Sequence, residues 1–181
     1  LFWGVFTLYD GSSVIEEKII PFAKTLALHA RDCKPDEMRT GFTAARAGNP
    51  PAYQKWSLIH YDGWDTLEPV PGQWYFDRLD MKVDSHLAAG TVPIIMLSSP
   101  PEWYKQTYKS RGYHGYYYPD TDDPEAMKHW KNYVRTVGER YRGRVFDYEI
   151  FGEAYGRSDP RHYGRLVAIA AEVLHGIDPR I

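Results

Sequence analysis

The order of elements along the chain predicts an α/β fold made of about four βα units, the N-terminal half of a TIM-type (β/α)8 barrel. Three observations carry this. Strand-like and helix-like segments alternate four times, as a parallel sheet with crossover helices requires. The segments after strands are long and those after helices short, which suits a barrel whose working face is built from the βα loops. No GxGxxG or GxxxxGK[ST] follows the first strand-like run, which argues against the structural alternative, a doubly wound nucleotide-binding sheet.

Residues 2–8, FWGVFTL, read as a short buried strand rich in β-formers. YDGSS follows as a turn. Val14 to about Arg31 reads as a helix, because Ile15, Ile19, Phe22, Leu26 and Ala30 recur at spacings of three and four. Pro21 inside it predicts a kink or a late start. Residues 32–55 resist placement. Met38–Ala44 has the composition of a strand, and AGNPPAY has that of a loop. Trp56–His60 reads as the next strand. The loop after it, YDGWDTLEPVPGQWYF, holds two prolines and two glycines.

Phe76–Ala89 is predicted as a helix with Asp77 as cap and Gly90 as stop. TVPIIML, residues 91–97, is the clearest strand: a continuous apolar run, expected where both faces are buried. The loop SSPPEWYKQTYKSRGYHGYYYPDTDD is too long to be a mere connector. Pro124–Tyr141 reads as a helix with Met127, Trp130, Tyr133, Val134 and Val137 on one face. Arg144–Phe151 reads as a strand. A last helix, capped by Ser158 or Asp159 with Pro160 near its first position, runs to about His175 before Gly176.

An eight-unit barrel takes about 250 residues; this chain has 181. A half barrel leaves strand edges unpaired and an apolar interior uncovered. Residues 1–181 are therefore expected to be the N-terminal half of one domain continuing beyond the chain. The remaining half would come from the same chain, another chain or a second copy.

Composition narrows the function. A formal net charge of −2 gives no electrostatic case for nucleic acid or an anionic membrane. The longest apolar runs are far too short to span a bilayer. Cys33 is the single cysteine, which excludes an intrachain disulfide and a cysteine-based zinc site. No HExxH or comparable spacing occurs, so neither a catalytic metal nor any other cofactor is expected. Six Trp and 15 Tyr are many, and several sit in loops, among them Tyr113 and Tyr116–Tyr118. Aromatic rings stack on sugars and on bases, and the charge balance favours sugar. The plainer alternative is that they pack long loops onto the body. The chain opens directly on a strand-like run with no Lys/Arg-led signal segment, which reads as a mature or trimmed start. A secreted or periplasmic setting is the expectation.

Three segments, taken in order, resemble the retaining glycoside hydrolases of clan A, most closely those of family 39, the β-xylosidase and α-L-iduronidase type. WDTLEPVPGQWYFDRLD, residues 64–80, is similar to the segment after the second barrel strand. PIIMLSSPPEW, residues 93–103, is similar to the third strand and its P-x-W exit. YRGRVFDYEIFGEA, residues 141–154, is similar to the fourth strand with its terminal W-N-E-P-type sequence. The resemblance covers roughly residues 56–181.

It implies a glycoside hydrolase that cleaves with retention, acting on an oligosaccharide or other glycoside. Glu153 stands at the general acid/base position, and the nucleophile lies outside this segment. Such chemistry needs one carboxylic acid to protonate the leaving oxygen and one carboxylate to attack the anomeric carbon, about 5 Å apart. A barrel offers both at strand ends. Taken without the resemblance, Glu153 reads as an ordinary surface carboxylate. Trp64, Trp103, Tyr104, His60 and Tyr155 are the candidate sugar contacts. For the two Trp and Tyr104 the alternative is packing of the loops on the rim; for His60 it is an ordinary packed histidine.

The chain departs from the family pattern at two places. Gly152 replaces the Asn expected before the acid/base, and Ile59 stands where an Arg is usual. The Asn side chain is expected to bond the sugar 2-hydroxyl, so its loss motivates a second reading, a non-catalytic carbohydrate-binding or scaffold protein on a degenerate barrel. Glu149 is expected on the same face as Glu153 but roughly 13 Å deeper, too far for the retaining pair, and Glu68 is expected to be structural.

Overall fold

The computed structural model describes residues 2–10, 12–22, 41–43, 56–108, 110–111, 118–152 and 159–181. Two compact units divide the chain, Leu1–Met38 and Arg39–Ile181. In chain order the elements are β1 (Phe2–Asp10), β2 (Ser13–Phe22), β3 (Gly41–Thr43), β4 (Trp56–Ile59), α1 (Trp64–Leu67), α2 (Asp77–Ala88), β5 (Val92–Leu97), α3 (Glu102–Thr107), β6 (Ser110–Arg111), β7 (Tyr118–Pro119), α4 (Pro124–Arg140), β8 (Asp147–Ile150) and α5 (Pro160–Ile177).

The first unit corrects two expectations. Residues 13–22 form a strand, not the start of a helix, and β1 pairs with β2 antiparallel from Phe2↔Phe22 to Asp10↔Ser13. The physical reason lies in the turn and the composition. Gly11 and Ser12 separate the paired Asp10 and Ser13, a two-residue Gly-Ser connection of the hairpin kind. Val14, Ile15, Ile19 and Ile20 are β-branched and fit a pleated strand better than a helix. Pro21 is tolerated near a strand end and not in a helix interior. The outer part of the expected helix, Leu26 and Ala30 included, falls outside the described residues, as does Cys33. β1 is accordingly a hairpin strand, and the first strand of the parallel sheet is β3, inside the Met38–Ala44 stretch.

The second unit is built on a four-stranded parallel sheet in the order β3-β4-β5-β8. Gly41 pairs with Trp56, Trp56 with Val92, and Ile94 with Asp147. Burial alternates along β4 and β5. Ser57, Ile59, Pro93, Ile95 and Leu97 are buried; Leu58, Ile94 and Met96 are half-buried. A residue period of two thus gives the sheet one well-covered face and one less covered face.

Helices cover the first face. α2 buries Leu79, Val83 and His86. His86 is a buried polar residue with a complete set of partners. Thr91 Oγ1 donates to the His86 carbonyl at 3.0 Å, so it accepts from His86 Nδ1 at 3.1 Å. Nε2 is then the free acceptor and faces Ser57 Oγ at 3.3 Å. This network accommodates a neutral ring, and burial, aided by Lys82, pushes the His86 pKa down from its ordinary value and so favours that form.

α4 starts on Asp123, whose carboxylate accepts from the Glu125 and Ala126 N–H groups, with Pro124 at the first turn. Its buried face, Met127, Trp130, Tyr133, Val134 and Val137, is the face read from the sequence. Its end is tied to α2 by Arg140 on Asp80, with the Tyr141 hydroxyl donating to the same carboxylate at 2.9 Å. α5 is capped by Asp159, which accepts from Arg161 N. It runs on through Gly176 to Ile177, two residues past the expected stop, and ends where Asp178 accepts from Arg180 N, Nε and Nη2 at 3.1, 2.9 and 2.7 Å. No described helix is long and apolar enough to cross a membrane.

The β4–α1 turn lies against the exit of β5. Trp64 N donates to Ser98 O at 2.9 Å and Asp65 N to Ser99 O at 2.8 Å. Gly63 permits this approach, since a Cβ there would meet Ser98 O at 2.9 Å. Gly63→Ala is expected to lower stability by about 1–3 kcal/mol, read as a shift of the urea midpoint. Acid titration of the fold should show two windows. His86 is held neutral, so its contribution is present above pH 6.5 and is lost as pH falls through its lowered folded pKa. The Arg180 side chain holds the Asp178 carboxyl down at about 2, so that contribution is present above pH 3.8 and disappears towards pH 2. NMR titration of the two side chains checks both directions.

Candidate active site at the strand ends

Parallel pairing puts the C-terminal ends of β4, β5 and β8 side by side on one edge. At each exit the backbone takes a left-handed conformation at a non-glycine residue: Tyr61 at φ 63°, Ser99 at φ 53° and Phe151 at φ 52°. Left-handed backbone is costly for L-residues, about 1–2 kcal/mol each, and such strain gathers where function over-determines the chain. Among the described residues the non-glycine positive-φ positions all lie on this edge.

A buried carboxylate organises the loops of this face. Glu68 accepts from Trp64 Nε1 at 2.6 Å and from Gly72 N at 2.8 Å, while its backbone carbonyl accepts from Trp103 Nε1 at 2.8 Å. Glu68 therefore ties together α1, the turn containing Gly72 and α3, the structural role expected of it. Trp64 stacks on Tyr133 at 5.1 Å and 6° and meets Trp103 edge-on at 5.9 Å. Trp130 in turn stacks on Phe151 at 5.4 Å, so the aromatic cluster continues from the β4 loop to the end of β8.

Trp64 and Tyr104 have no exposed surface, and the Tyr104 hydroxyl donates to Ala126 O at 3.2 Å. That is the packing alternative left open in the sequence: both sit under the site rather than on its surface. Trp103 is half-buried and leans on His129 at 5.5 Å. His60 is half-buried at the end of β4, where its carbonyl accepts from Lys82 Nζ at 3.1 Å. Lys82 also binds the buried Asp62, which pairs with Arg78 Nε at 2.9 Å; these ties hold the β4 exit. Tyr118, one of the loop tyrosines, is buried against Phe151 at 4.7 Å, the packing alternative. Glu153, Tyr155, Tyr113, His114, Tyr116 and Tyr117 lie outside the described residues. The described chain reaches Gly152, one residue before Glu153.

One feature escaped the sequence reading. Tyr61 is 77% exposed at the β4 exit, with its ring 5.6 Å from that of His60. Its position directly after a predicted strand was the available signal. On β8, Glu149 Oε1 lies 3.5 Å from where a Cβ on Gly152 would stand, with Met96 Sδ at 3.2 Å from the same point. Burial raises the Tyr163 phenol above its ordinary pKa, and the nearby Glu149 charge adds to this. Among the described residues no group of three His, Cys, Asp or Glu could hold a metal ion.

No family model matches the chain. Among solved structures it is similar to a family 39 glycoside hydrolase from the gut symbiont Bacteroides cellulosilyticus WH2, at 16% identity and TM-score 0.62, over 98% of this chain and 36% of that one. It is similar to native xylanase 10B from Thermotoga maritima, at 14% identity and TM-score 0.53, over 70% of this chain and 40% of that one. A third likeness is to xylanase XynB from Paenibacillus barcinonensis, at 14% identity and TM-score 0.50, over 71% of this chain and 41% of that one. The chain thus spans well under half the length of these structures. The class these likenesses define is one of fold: α/β, with the parallel sheet of a TIM-barrel glycoside hydrolase over part of its length. The clan A and family 39 resemblance of the three sequence segments agrees with it.

Glu68→Gln tests the loop tie. One of its two donors would then face an amide NH2 instead of an oxygen, at a cost of about 1–3 kcal/mol. The expected result is a lower melting temperature by calorimetry, with the far-UV spectrum of the folded protein unchanged.

Proposed function

We propose that this chain is the front part of a retaining glycoside hydrolase barrel, with Glu153 as general acid/base. The observation that carries the reading is the position of Glu153 in the sequence. It comes three residues after Ile150, where the fourth parallel strand ends, and the exit of that strand lies on the edge where the strained residues gather. Active groups of barrel enzymes belong to that edge. The fold likeness supports the enzyme class. Two of the similar structures are xylanases, so a β-linked glycoside is the substrate class to try first.

In this reading Glu153 gives its proton to the leaving oxygen and then takes one from the water that releases the sugar. To do so it must be protonated in the free enzyme near neutrality, the state an apolar surrounding favours. The nucleophile comes from the other half of the barrel, on the same chain or another. Tyr61 and the exposed side of Trp103 offer ring faces for stacking on sugar, and His60 a polar contact between β4 and the ligand.

A second reading, a carbohydrate-binding protein without turnover, is favoured by one observation: Gly152 offers no side chain next to Glu153. The test uses the full-length protein on a panel of aryl β-glycosides. Hydrolysis with retention is expected, and Glu153→Gln should cut kcat by about 10²–10⁴-fold. Turnover that survives this substitution defeats the acid/base assignment. Gly152→Asn separates the two readings: an enzyme changes its rate, whereas a binding protein stays without one.

A further inference from the structure

The left-handed turn at Tyr61 is held in a different way from those at Phe151 and Ser99. The Phe151 N–H donates to Leu97 O at 3.0 Å, and its ring packs on Tyr118 and Trp130, so its own burial offsets the strain. The Ser99 carbonyl accepts from Asp65 N at 2.8 Å. The Tyr61 ring is 77% exposed, so burial of its own side chain does not offset a φ of 63°. The hold comes from a cation on α2. Lys82 Nζ donates to His60 O at 3.1 Å and binds the buried Asp62 carboxylate. It grips the residues on both sides of Tyr61 and fixes the peptide units that set its backbone angles.

An ammonium has three donors, enough for a carbonyl and a carboxylate together. The other Asp62 oxygen accepts from Arg78 Nε at 2.9 Å. Arg78 and Lys82 stand one helical turn apart on α2, so they share a face and reach the same acid. They are not equivalent. The Lys82 side chain is 27% exposed and meets both flanks of Tyr61, whereas that of Arg78 is 61% exposed and meets the Asp62 flank.

We propose that Lys82 is a positioning residue for ligand binding: by clamping His60 and Asp62 it holds Tyr61 in the turn that stands its ring on the strand-end edge as a stacking platform for a sugar. The inference rests on the glycoside reading for the nature of the ligand. Tyrosine offers apolar ring faces while its hydroxyl stays wet, and the His60 ring, 5.6 Å from that of Tyr61, widens the same platform. A platform fixed before the ligand arrives costs less to order on binding. Without the clamp Tyr61 relaxes to negative φ, where L-residues are unstrained, and the ring leaves its place. Lys82 itself touches no ligand and acts through Tyr61.

The experiment compares Tyr61→Ala, Lys82→Met, the two combined, and Arg78→Met in the full-length protein. The probes are 4-nitrophenyl β-xyloside, β-glucoside and β-galactoside, with affinity measured by calorimetry and turnover by nitrophenol release. Tyr61→Ala should weaken the tightest binder about tenfold, and Lys82→Met about three- to tenfold. Both should raise KM and leave kcat little changed. In the Tyr61→Ala background Lys82→Met should cost no further affinity, because its effect runs through that ring. Arg78→Met should stay within about twofold of the unaltered protein. Lys82→Met leaves the buried Asp62 short of a donor, so Asp62→Asn with Lys82→Met, which removes both charges, is measured beside it and should show the same loss. Additive losses from Tyr61→Ala and Lys82→Met, equal losses from Lys82→Met and Arg78→Met, or unchanged affinity in both Lys82 variants overturn the proposal. So does Tyr61→Ala with a lower melting temperature and full affinity, the result of a ring packed inside the full-length protein. Coupled losses of binding without any turnover support it and defeat the hydrolase reading alone. No binding of any glycoside defeats both.

Discussion

The carboxylate of Glu68 is the constraint on which the strand-end face depends. It is buried, so its charge needs donors, and it finds them in the indole of Trp64 and the backbone of Gly72. Its carbonyl adds the indole of Trp103. Each donor belongs to a different piece of loop, so satisfying one acid fixes three pieces at once. Burial makes this tie worth more than a surface pair: a donor left without its acceptor there has no water to turn to. Trp64 passes the constraint on by stacking against Tyr133, and Trp130 carries it to Phe151 at the end of β8.

That packing has a consequence for what the loops can do. The large rings one would choose from the sequence as sugar platforms are mostly consumed in holding the rim. Trp64 and Tyr104 are wholly covered. Among the described residues of this face, the rings left at the surface lie closer to the strands: His60 and Tyr61 just after β4, and the outer side of Trp103. The three left-handed residues at the strand exits turn the chain sharply, which keeps these groups at the edge of the sheet instead of letting the strands run on. Strain of this kind persists only where neighbours enforce it, and the aromatic cluster beneath Phe151 does so.

Much of the architecture was legible from local pattern. The strands at Trp56–Ile59 and Val92–Leu97 stood out as short apolar runs, α4 as a periodic face, and Asp159 as a candidate cap before proline. The region before residue 45 was read less well. Ile15, Ile19 and Phe22 fit a helical period by their spacing alone, but they sit on a β-branched segment behind a tight turn, and pairing with β1 decided the outcome. Periodicity over so few residues does not discriminate when the partner strand is the element just before it. The same error made β1 the expected first strand of the parallel sheet, a place that β3 holds.

The sequence by itself determined the α/β class, the order of the parallel strands from β4 onwards, and the carboxylate-tipped segment FGEA that carries the functional reading. These follow from residue periods, turn chemistry and motif order, all of which are local. Tertiary structure alone decided which of the described aromatics are spent in packing and which remain exposed, since that depends on neighbours distant in the chain, as Trp103 on Glu68, 35 residues away, shows. Glycine at 152 reads in the sequence as a lost contact; in three dimensions a Cβ there would stand 3.2 Å from Met96 Sδ and 3.5 Å from Glu149 Oε1, a closeness that only the fold sets.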